Sequence, residues 1–179
     1  MSDNFITLVD LAVSEEEAPA RAARVRQWLL DRGSAQVNSQ RDKLMHPSEL
    51  AAGPQYRLAD EDPEGHILTM SNCGIDLEVG RTVHHPMGNY TPPTCPECGS
   101  DADEDAHAAL AEVWFSGPEP TLQCVVCGVV TPLGDWPGRW TFYVANFGVC
   151  FNNWNLRDEF IADLSPLVGT RVRVVRTHL

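Results

Sequence analysis

The chain has 179 residues, 43% of them hydrophobic, and its 25 acidic residues outnumber 13 basic ones to give a formal charge of -12 at pH 7. A chain of this length and apolar content can bury a core without disulfides, which excludes both a disordered protein and a disulfide-dependent mini-domain. The charge disfavours nucleic acid as a partner, since affinity for phosphate depends on Lys and Arg, and it favours a basic or neutral protein partner.

The first residues, MSDNFITLVDLAVSEEE, predict a buried strand over 4–13 and lack the features of a secretory signal peptide. The sequence also lacks a window of ~18 consecutive apolar residues, so no membrane span is predicted. We therefore expect a cytoplasmic protein without a membrane partner. In that compartment its six cysteines are expected to be metal ligands or buried thiols rather than a disulfide framework.

A helix is predicted next, within SEEEAPARAARVRQWLLDRG, and ends at Gly33. Ser14 and Glu17 have the spacing of a capping box, but Pro19 would then lie one turn inside the helix, so the regular helix is expected to begin near Ala18. The residues expected to face inward recur at helical spacing: Ala18, Ala22, Val25, Trp28 and Leu29.

The middle of the chain is less regular. Residues 34–65 are polar and rich in Pro and Gly, which predicts a loop with at most a short helical turn within PSELAA. HILTM (66–70) and GIDLEVGRTVHH (74–85) are predicted to form a hairpin, since apolar and acidic residues alternate in the second segment.

The last third predicts a second strand–helix–strand unit. The strands are RWTFYVANFGVCF (139–151) and TRVRVVRTHL, and the helix between them, NLRDEFIADLSPLVG, can be capped by Asn155. The residues expected on its inner face are Leu156, Phe160, Ile161, Leu164 and Leu167.

The order of these elements predicts an α+β fold. Because a parallel crossover needs a helix between its strands, the expected architecture is a mixed sheet with two helices on one face, similar to a ferredoxin-like sandwich. Residues 1–86 and 138–179 would form this α/β scaffold as one discontinuous domain. Residues 87–137 would form an insert within it.

The insert contains two cysteine pairs, TCPECG and QCVVCG, in a C-x2-C, x25, C-x2-C arrangement. Two residues between the thiols let both sulfurs reach one ion from a single tight turn, and two such turns complete a tetrahedral shell. Gly99 and Gly128 allow the backbone to turn as in the knuckles of zinc ribbons. The sequence therefore predicts a structural Zn²⁺ held by Cys95, Cys98, Cys124 and Cys127, in a ribbon with a short helix within DADEDAHAALAEVWFSG.

Three other interpretations of the pairs are open. A redox C-x-x-C lies at the start of a helix, whereas Cys95 follows TPPT and Cys124 begins a strand–turn–strand pattern. A catalytic zinc needs an open coordination position, which four cysteines do not leave. Four thiolates can also hold a single iron ion or an iron–sulfur cluster. Zinc is the default assignment for this set of ligands. Cys73 and Cys150 are expected to be buried thiols outside the site.

Local charge opposes a nucleic-acid role for the ribbon. Residues 91–137 contain eight acids and no Lys or Arg, and four thiolates on one zinc would add two negative charges. Arg171, Arg173 and Arg176 form the one basic cluster. Their alternation with valines in the last strand predicts a solvated face ahead of a binding patch.

Known catalytic motifs are absent from the sequence, which has neither a G-x-S-x-G elbow nor a phosphate-binding loop. His84 and His85 are neighbours in a strand and should point to opposite faces. The other histidines have no companion at a recognisable spacing: His46, His66, His107 and His178.

The stretch NFGVCFNNWN is the best candidate for a ligand or partner surface. It places Asn146, Asn152 and Asn153 near Trp154, although asparagines there can simply build a turn and cap a helix. Trp136 and Trp140 could line the same pocket or fill the core.

Several of these segments together resemble a family of small, uncharacterised bacterial proteins that carry an inserted zinc ribbon. The resemblance covers most of the chain and rests on NFITLVDLAV, RQWLLDRG, GIDLEVGRTVHH, the two CxxCG knuckles, EVWFSG and NFGVCFNNW. It implies a metal role for the four knuckle cysteines. Members are sometimes labelled sugar-transporter ATPases, a label that the missing phosphate loop does not support.

The sequence thus predicts a non-enzymatic, zinc-binding protein that acts by binding another protein. An immunity-type module that neutralises a basic toxin domain is one specific form, since an acidic surface favours fast, steered association. The alternatives are an enzyme of unrecognised type with its pocket in residues 146–155, and a transcription-associated zinc ribbon.

Overall fold

The computed structural model describes residues 3–41, 48–70 and 72–179. The three α-helices in these ranges are α1 (Ala18–Asp31), α2 (Glu104–Ser116) and α3 (Asp158–Val168). The eight strands are β1 (Asn4–Asp10), β2 (Ala35–Val37), β3 (Leu50–Ala52), β4 (Gly74–His84), β5 (Thr121–Gln123), β6 (Val130–Pro132), β7 (Tyr143–Asn152) and β8 (Val172–His178).

Six strands form one sheet in the order β2-β3-β4-β7-β1-β8, and β5 and β6 form a separate pair. Every pairing between neighbouring strands of the described residues is antiparallel. The α+β prediction is confirmed, but the predicted mixed sheet is wrong. The helical crossovers connect strands that are not neighbours, because β7, β4 and β3 lie between β1 and β2, and β1 lies between β7 and β8.

The main core lies between this sheet and helices α1 and α3. Leu8 of β1 and Phe147 of β7 are fully buried there, and the Trp28 ring packs on Phe160 with 5.5 Å between ring centroids. Of the predicted inward residues, the fully or nearly fully buried ones are Ala18, Ala22, Val25, Leu29, Leu156, Phe160 and Leu164, while Trp28, Ile161 and Leu167 are partly buried.

The start of α1 at Ala18 is as predicted. The reciprocal bonds of the capping box also form, since the Ser14 amide donates to Glu17 Oε2 and the Glu17 amide donates to Ser14 Oγ, both at 3.2 Å. They form one turn before the helix, which leaves Pro19 in the first turn, where it costs no hydrogen bond.

The predicted cap of α3 is wrong. This helix begins at Asp158, and the preceding Arg157 makes no side-chain cap bond. Asn155 lies two residues too early, and its amide instead donates to the Asp60 carboxylate at 2.9 Å.

The middle of the chain differs most from prediction. Residues 34–65 contain the β2–β3 hairpin, and the predicted turn around PSELAA is strand β3 at residues 50–52, while Pro47, like His46, lies outside the described residues. HILTM forms a 3-10 helix, not a strand. It follows Gly65, whose φ of 71° turns the chain where a strand would have to begin.

The insert packs against the second face of the sheet. Trp114 of α2 and Leu133 join Val9 of β1 and Val175 of β8 in one buried cluster. Among the described residues, no helix has the length and apolarity that crossing a membrane requires.

Candidate metal centre

Each cysteine pair lies in a tight turn closed by two backbone hydrogen bonds. The Gly99 amide donates to the Cys95 carbonyl at 3.0 Å, and the Cys95 amide donates to the Ser100 carbonyl at 2.8 Å. The second turn repeats both bonds at equivalent positions, with Gly128 and Cys124 as donors at 2.9 and 2.8 Å. Gly99 and Gly128 have φ of 71° and 76°, a left-handed conformation that explains a glycine after each pair.

Short antiparallel pairings hold the two turns in place. Thr94 bridges Asp101 across the first turn, and β5 pairs with β6 across the second, with Gln123 opposite Val130. Each turn is therefore the tip of a small hairpin. The first hairpin is tied to the end of the insert because the Thr94 amide donates to the Pro137 carbonyl at 2.8 Å.

The two tips bring the four predicted ligands together. The Sγ atoms of Cys95, Cys98, Cys124 and Cys127 all lie within 4.8 Å of one another. Two sulfur pairs that cross between the turns, Cys95–Cys127 and Cys98–Cys124, are each 3.7 Å apart. A tetrahedron with Zn–S bonds of about 2.3 Å has S–S edges of about 3.8 Å, so the four thiols fit a tetrahedral ion of this size.

The same distances do not fit a disulfide. A disulfide S–S bond is about 2.05 Å, and all six cysteines are free thiols. Cys95 and Cys124 are buried, whereas Cys98 and Cys127 are exposed, so the site lies at the surface with one thiol of each pair facing the protein. Trp136 lies behind the buried pair and is only 1% exposed.

Ser100 contributes a hydroxyl that the sequence analysis did not single out. Its Oγ lies 3.1 Å from Cys98 Sγ and 3.3 Å from Cys124 Sγ. The Ser100 hydroxyl and amide lower the pKa of Cys98, and the Cys127 amide together with the Ser100 hydroxyl lowers the pKa of Cys124 to about 6. At Cys127 the Val129 amide bond is outweighed by burial and the three neighbouring thiols, which raise its pKa to about 12. Thiolates are the form that binds metal, so deprotonation of Cys127 depends on the charge of the ion itself. The one sequence signal for this residue is a hydroxyl directly after CxxCG.

The insert is held to the scaffold by an ion-pair cluster that sequence reasoning missed. Arg171, just before β8, makes hydrogen bonds to both carboxylate oxygens of Glu119 and to Asp135 Oδ1, the last at 2.7 Å. Arg173 donates to the Gly134 carbonyl at 2.8 Å. The basic cluster therefore pairs with insert acids rather than facing solvent freely, and the expectation of a solvated face is corrected for these two arginines.

Helix α2 is fixed at both ends. Asp103 caps it by accepting from the Ala106 amide at 2.8 Å. At the other end Arg81, in the irregular part of β4, donates to the carbonyls of Phe115 at 2.8 Å and of Trp114. A cation at a helix C-terminus satisfies free carbonyls and opposes the helix dipole, so β4 positions α2 and, through it, the insert.

The remaining thiols are separate from the cluster, as predicted. Burial, followed by nearby carboxylates, raises the pKa of Cys73 to about 11 and the pKa of Cys150 to about 12. Both therefore remain protonated thiols.

The two adjacent histidines have different surroundings, as predicted for neighbours in a strand. His84 lies 3.3 Å from Glu78, while the His85 ring stacks on Tyr90 with 5.6 Å between ring centroids.

The structure brings together only part of the predicted Asn and Trp surface. The Asn146 amide donates to the Val13 carbonyl at 2.9 Å, apart from the others. Asn153 has a left-handed φ of 59° and binds Asn4 and Asp3, which is a turn-building role. Asn153 and Trp154, without Asn152, line a cavity of about 440 Å³ together with Asn4, Phe5, Trp140 and Arg176.

Comparison of the chain with known protein families, curated proteins and solved structures found no match. The function is therefore inferred from the residues and geometry of the chain itself.

Proposed function

We propose that Cys95, Cys98, Cys124 and Cys127 hold one structural zinc ion in a zinc ribbon formed by residues 87–137. The 3.7 Å contacts between sulfurs of opposite turns carry this proposal. The ribbon is inserted in a scaffold of residues 1–86 and 138–179. The strand order of the scaffold, β4-β7-β1-β8, with α1 and α3 on one face of the sheet, supports a ferredoxin-like sandwich.

Zinc is the ion that best suits these ligands. A shell of four thiolates is typical of structural zinc and leaves no open position for substrate. Iron would also accept four thiolates. Elemental analysis separates the two cases. Replacement of the ion with Co²⁺ tests the coordination, since tetrahedral Co²⁺ with four thiolates absorbs strongly in the visible range, and we expect Zn²⁺ to displace it stoichiometrically.

We further propose that the protein is cytoplasmic and acts without catalysis, by binding a basic protein. The eight acids of residues 91–137 face no Lys or Arg within the insert, and Arg171 and Arg173 already pair with Glu119 and Asp135. The acids left over favour a positively charged partner through steered association. An immunity-type module is the specific form that we favour.

A pull-down from the native cell tests this binding. We expect a basic protein that dissociates at high salt and that binds less well to a variant with Glu104→Gln and Asp105→Asn, both exposed in the first turn of α2. Glu15→Gln with Glu16→Gln, exposed acids before α1, is the matched control. A chain that retains no basic partner would contradict the proposal.

An enzyme of unrecognised type is the second candidate, and one observation favours it. The cavity at Asn153 and Trp154 is lined in part by Trp154, whose Nε1 is buried and has no hydrogen-bond partner among the described residues. A transcription-associated ribbon is the third. Sequence-dependent binding of DNA or RNA in a gel shift at physiological salt would support it, whereas we expect only a weak, salt-sensitive background.

A further inference from the structure

A second cavity, unrelated to the cysteine cluster, lies on the face of the sheet opposite α1 and α3. It has a volume of about 310 Å³, at the lower end of the range for small-molecule sites. We call it the sheet cavity. The lining residues that matter for its chemistry come from β1, β4, β7 and β8: Thr7, Asp76, Glu78, His84, Cys150 and Val175.

His84 is the unusual residue of the sheet cavity. It is only 7% exposed, its Nδ1 lies 3.3 Å from Glu78 Oε2, and its buried Nε2 has no hydrogen-bond partner among the described residues. A neutral imidazole with its proton on Nδ1, the nitrogen that lies nearer Glu78, presents Nε2 as an acceptor. A buried acceptor without a partner requires an explanation. The adjoining cavity offers one, since a ligand bound there can supply the missing donor.

Gly148 makes room for this histidine. A Cβ at position 148 would lie 3.0 Å from Cε1 of His84 and 3.2 Å from the Thr7 methyl. Glu78 is the register partner of Gly148 on the neighbouring strand. The sequence thus combines a small residue, a buried imidazole and a carboxylate at one place in the sheet.

The polar lining of the sheet cavity accepts hydrogen bonds and is negatively charged. Asp76 and Glu78 supply carboxylates, and the residues that line the cavity include no Lys or Arg. Burial and these carboxylates raise the pKa of Cys150 to about 12, so its thiol is uncharged. Apolar groups from Phe5, Val83, Met87, Val175 and Leu179 form most of the remaining wall, and Thr82, His85 and Thr177 complete it.

We propose that the sheet cavity binds a small organic ammonium ion with an apolar body. The ammonium group has three N–H donors and no acceptor, which matches Glu78 and Nε2 of His84, and its charge complements Asp76 and Glu78. The apolar body contacts Phe5 and Val175. Anionic ligands such as carboxylates or phosphates are excluded by the same two acids.

Titration of the whole zinc-loaded chain with 2-phenylethylammonium, followed by amide chemical shifts, tests the proposal. We expect saturable shifts at Thr7, Cys150 and Val175, at least tenfold weaker binding of the neutral isostere 2-phenylethanol, and no binding of phenylacetate. These comparisons use the unaltered protein, so they do not depend on the folding of a variant.

Two substitutions sharpen the test. Glu78→Gln should weaken 2-phenylethylammonium binding at least tenfold, while Glu159→Gln, at an exposed position of α3 on the other face of the sheet, should leave it unchanged. Equal binding of the ammonium and the alcohol, or shifts confined to residues outside the sheet cavity, would overturn the proposal. Because the readout is independent of zinc and of any protein partner, failure here leaves the proposed function untouched.

Discussion

Gly128 shows how a single residue supports the metal centre. Its φ is 76° and a Cβ added there would meet no atom within 4 Å, so the cost of Gly128→Ala is backbone strain alone, about 1–2 kcal/mol. If the zinc-loaded turn needs this conformation, zinc affinity should fall about tenfold, since 1.4 kcal/mol is a factor of ten. Competition with a chromophoric chelator measures it.

Gly88→Ala is the control for that substitution. Gly88 also has open space at its Cβ position, but it has no left-handed φ, and it lies in the 3-10 turn after β4. Its zinc affinity should equal that of the unaltered chain. Equal affinities for both variants would show that the left-handed turn does not contribute to binding.

The buried imidazole of His107 makes the stability of the fold depend on pH. It is buried in α2, where its Nδ1 lies 2.7 Å from the Tyr90 hydroxyl, and burial, followed by the charge of His85, lowers its pKa from 6.5 to about 4. The unfolded chain therefore binds a proton near pH 6.5 that the folded chain does not bind until about pH 4. Stability from this residue is fully present above pH 6.5 and declines as pH falls toward 4.

Comparison with His107→Gln isolates that contribution. Between pH 7 and pH 5 the unaltered chain should lose about 2 kcal/mol more of its free energy of unfolding than the variant does, because one pKa unit corresponds to about 1.4 kcal/mol. Urea denaturation at the two pH values measures both losses, and the effects of other titrating groups cancel in the difference. Equal losses would mean that His107 titrates normally in the folded chain.

At the scale of elements, the contact between β8 and the insert depends on Arg171. The side chains of Arg171 and Glu119 are 27% and 20% exposed, so Arg171→Met removes the principal charged donor from two partly buried carboxylates. We expect a loss of about 1–3 kcal/mol in the free energy of unfolding, with faster amide exchange in β5 and β6. Arg24→Met, at an exposed position of α1, should change stability by less than about 0.5 kcal/mol. Similar effects of both variants would contradict a docking role.

The elements that the sequence predicted well are those with long apolar patterns. Helix α1 and strand β4 have sustained periods, and their bounds agree with prediction to within a few residues. The β2–β3 hairpin was missed because Ala35–Val37 and Leu50–Ala52 are three residues each, too short to show a period. The antiparallel direction of all strand pairs was missed for a different reason, since a pairing such as that of β1 with β7 is a long-range choice that no local pattern contains.

The candidate site also has a part that local sequence predicts and a part that depends on contacts between distant residues. The cysteine turns are local and follow a recognisable spacing, so their ligands could be predicted from the sequence. Arg171 meets Glu119 and Asp135 across separate parts of the chain, and His84 meets Glu78 across an irregularity in β4. Contacts of that kind depend on the tertiary fold.

In the whole molecule, the cysteine turns and the sheet have separate buried clusters. Cys95, Cys124 and Trp136 belong to a small buried cluster of their own, whereas Trp114 packs with Val9 and Val175. Loss of zinc through Cys124→Ser should therefore speed amide exchange in residues 94–101 and 121–130, while exchange in β1, β7 and β8 stays slow. Most of the far-ultraviolet dichroism should remain.

Cys73→Ser, outside the cluster, is the control for zinc removal and should leave exchange in both cysteine turns slow. If Cys124→Ser instead accelerates exchange equally in β7 and β8, the insert and the scaffold form one cooperative unit. The division into residues 87–137 and a discontinuous scaffold would then be wrong.

Elemental analysis of protein purified without added metal is the most direct test for a single zinc held by four cysteines. We expect one zinc per chain in the unaltered protein and in Cys73→Ser, and less than a tenth of that in Cys124→Ser. Iron in place of zinc, with a red or brown colour, would contradict the claim. Metal-free protein with a disulfide between Cys95 and Cys98 would contradict it as well, and would point to redox chemistry.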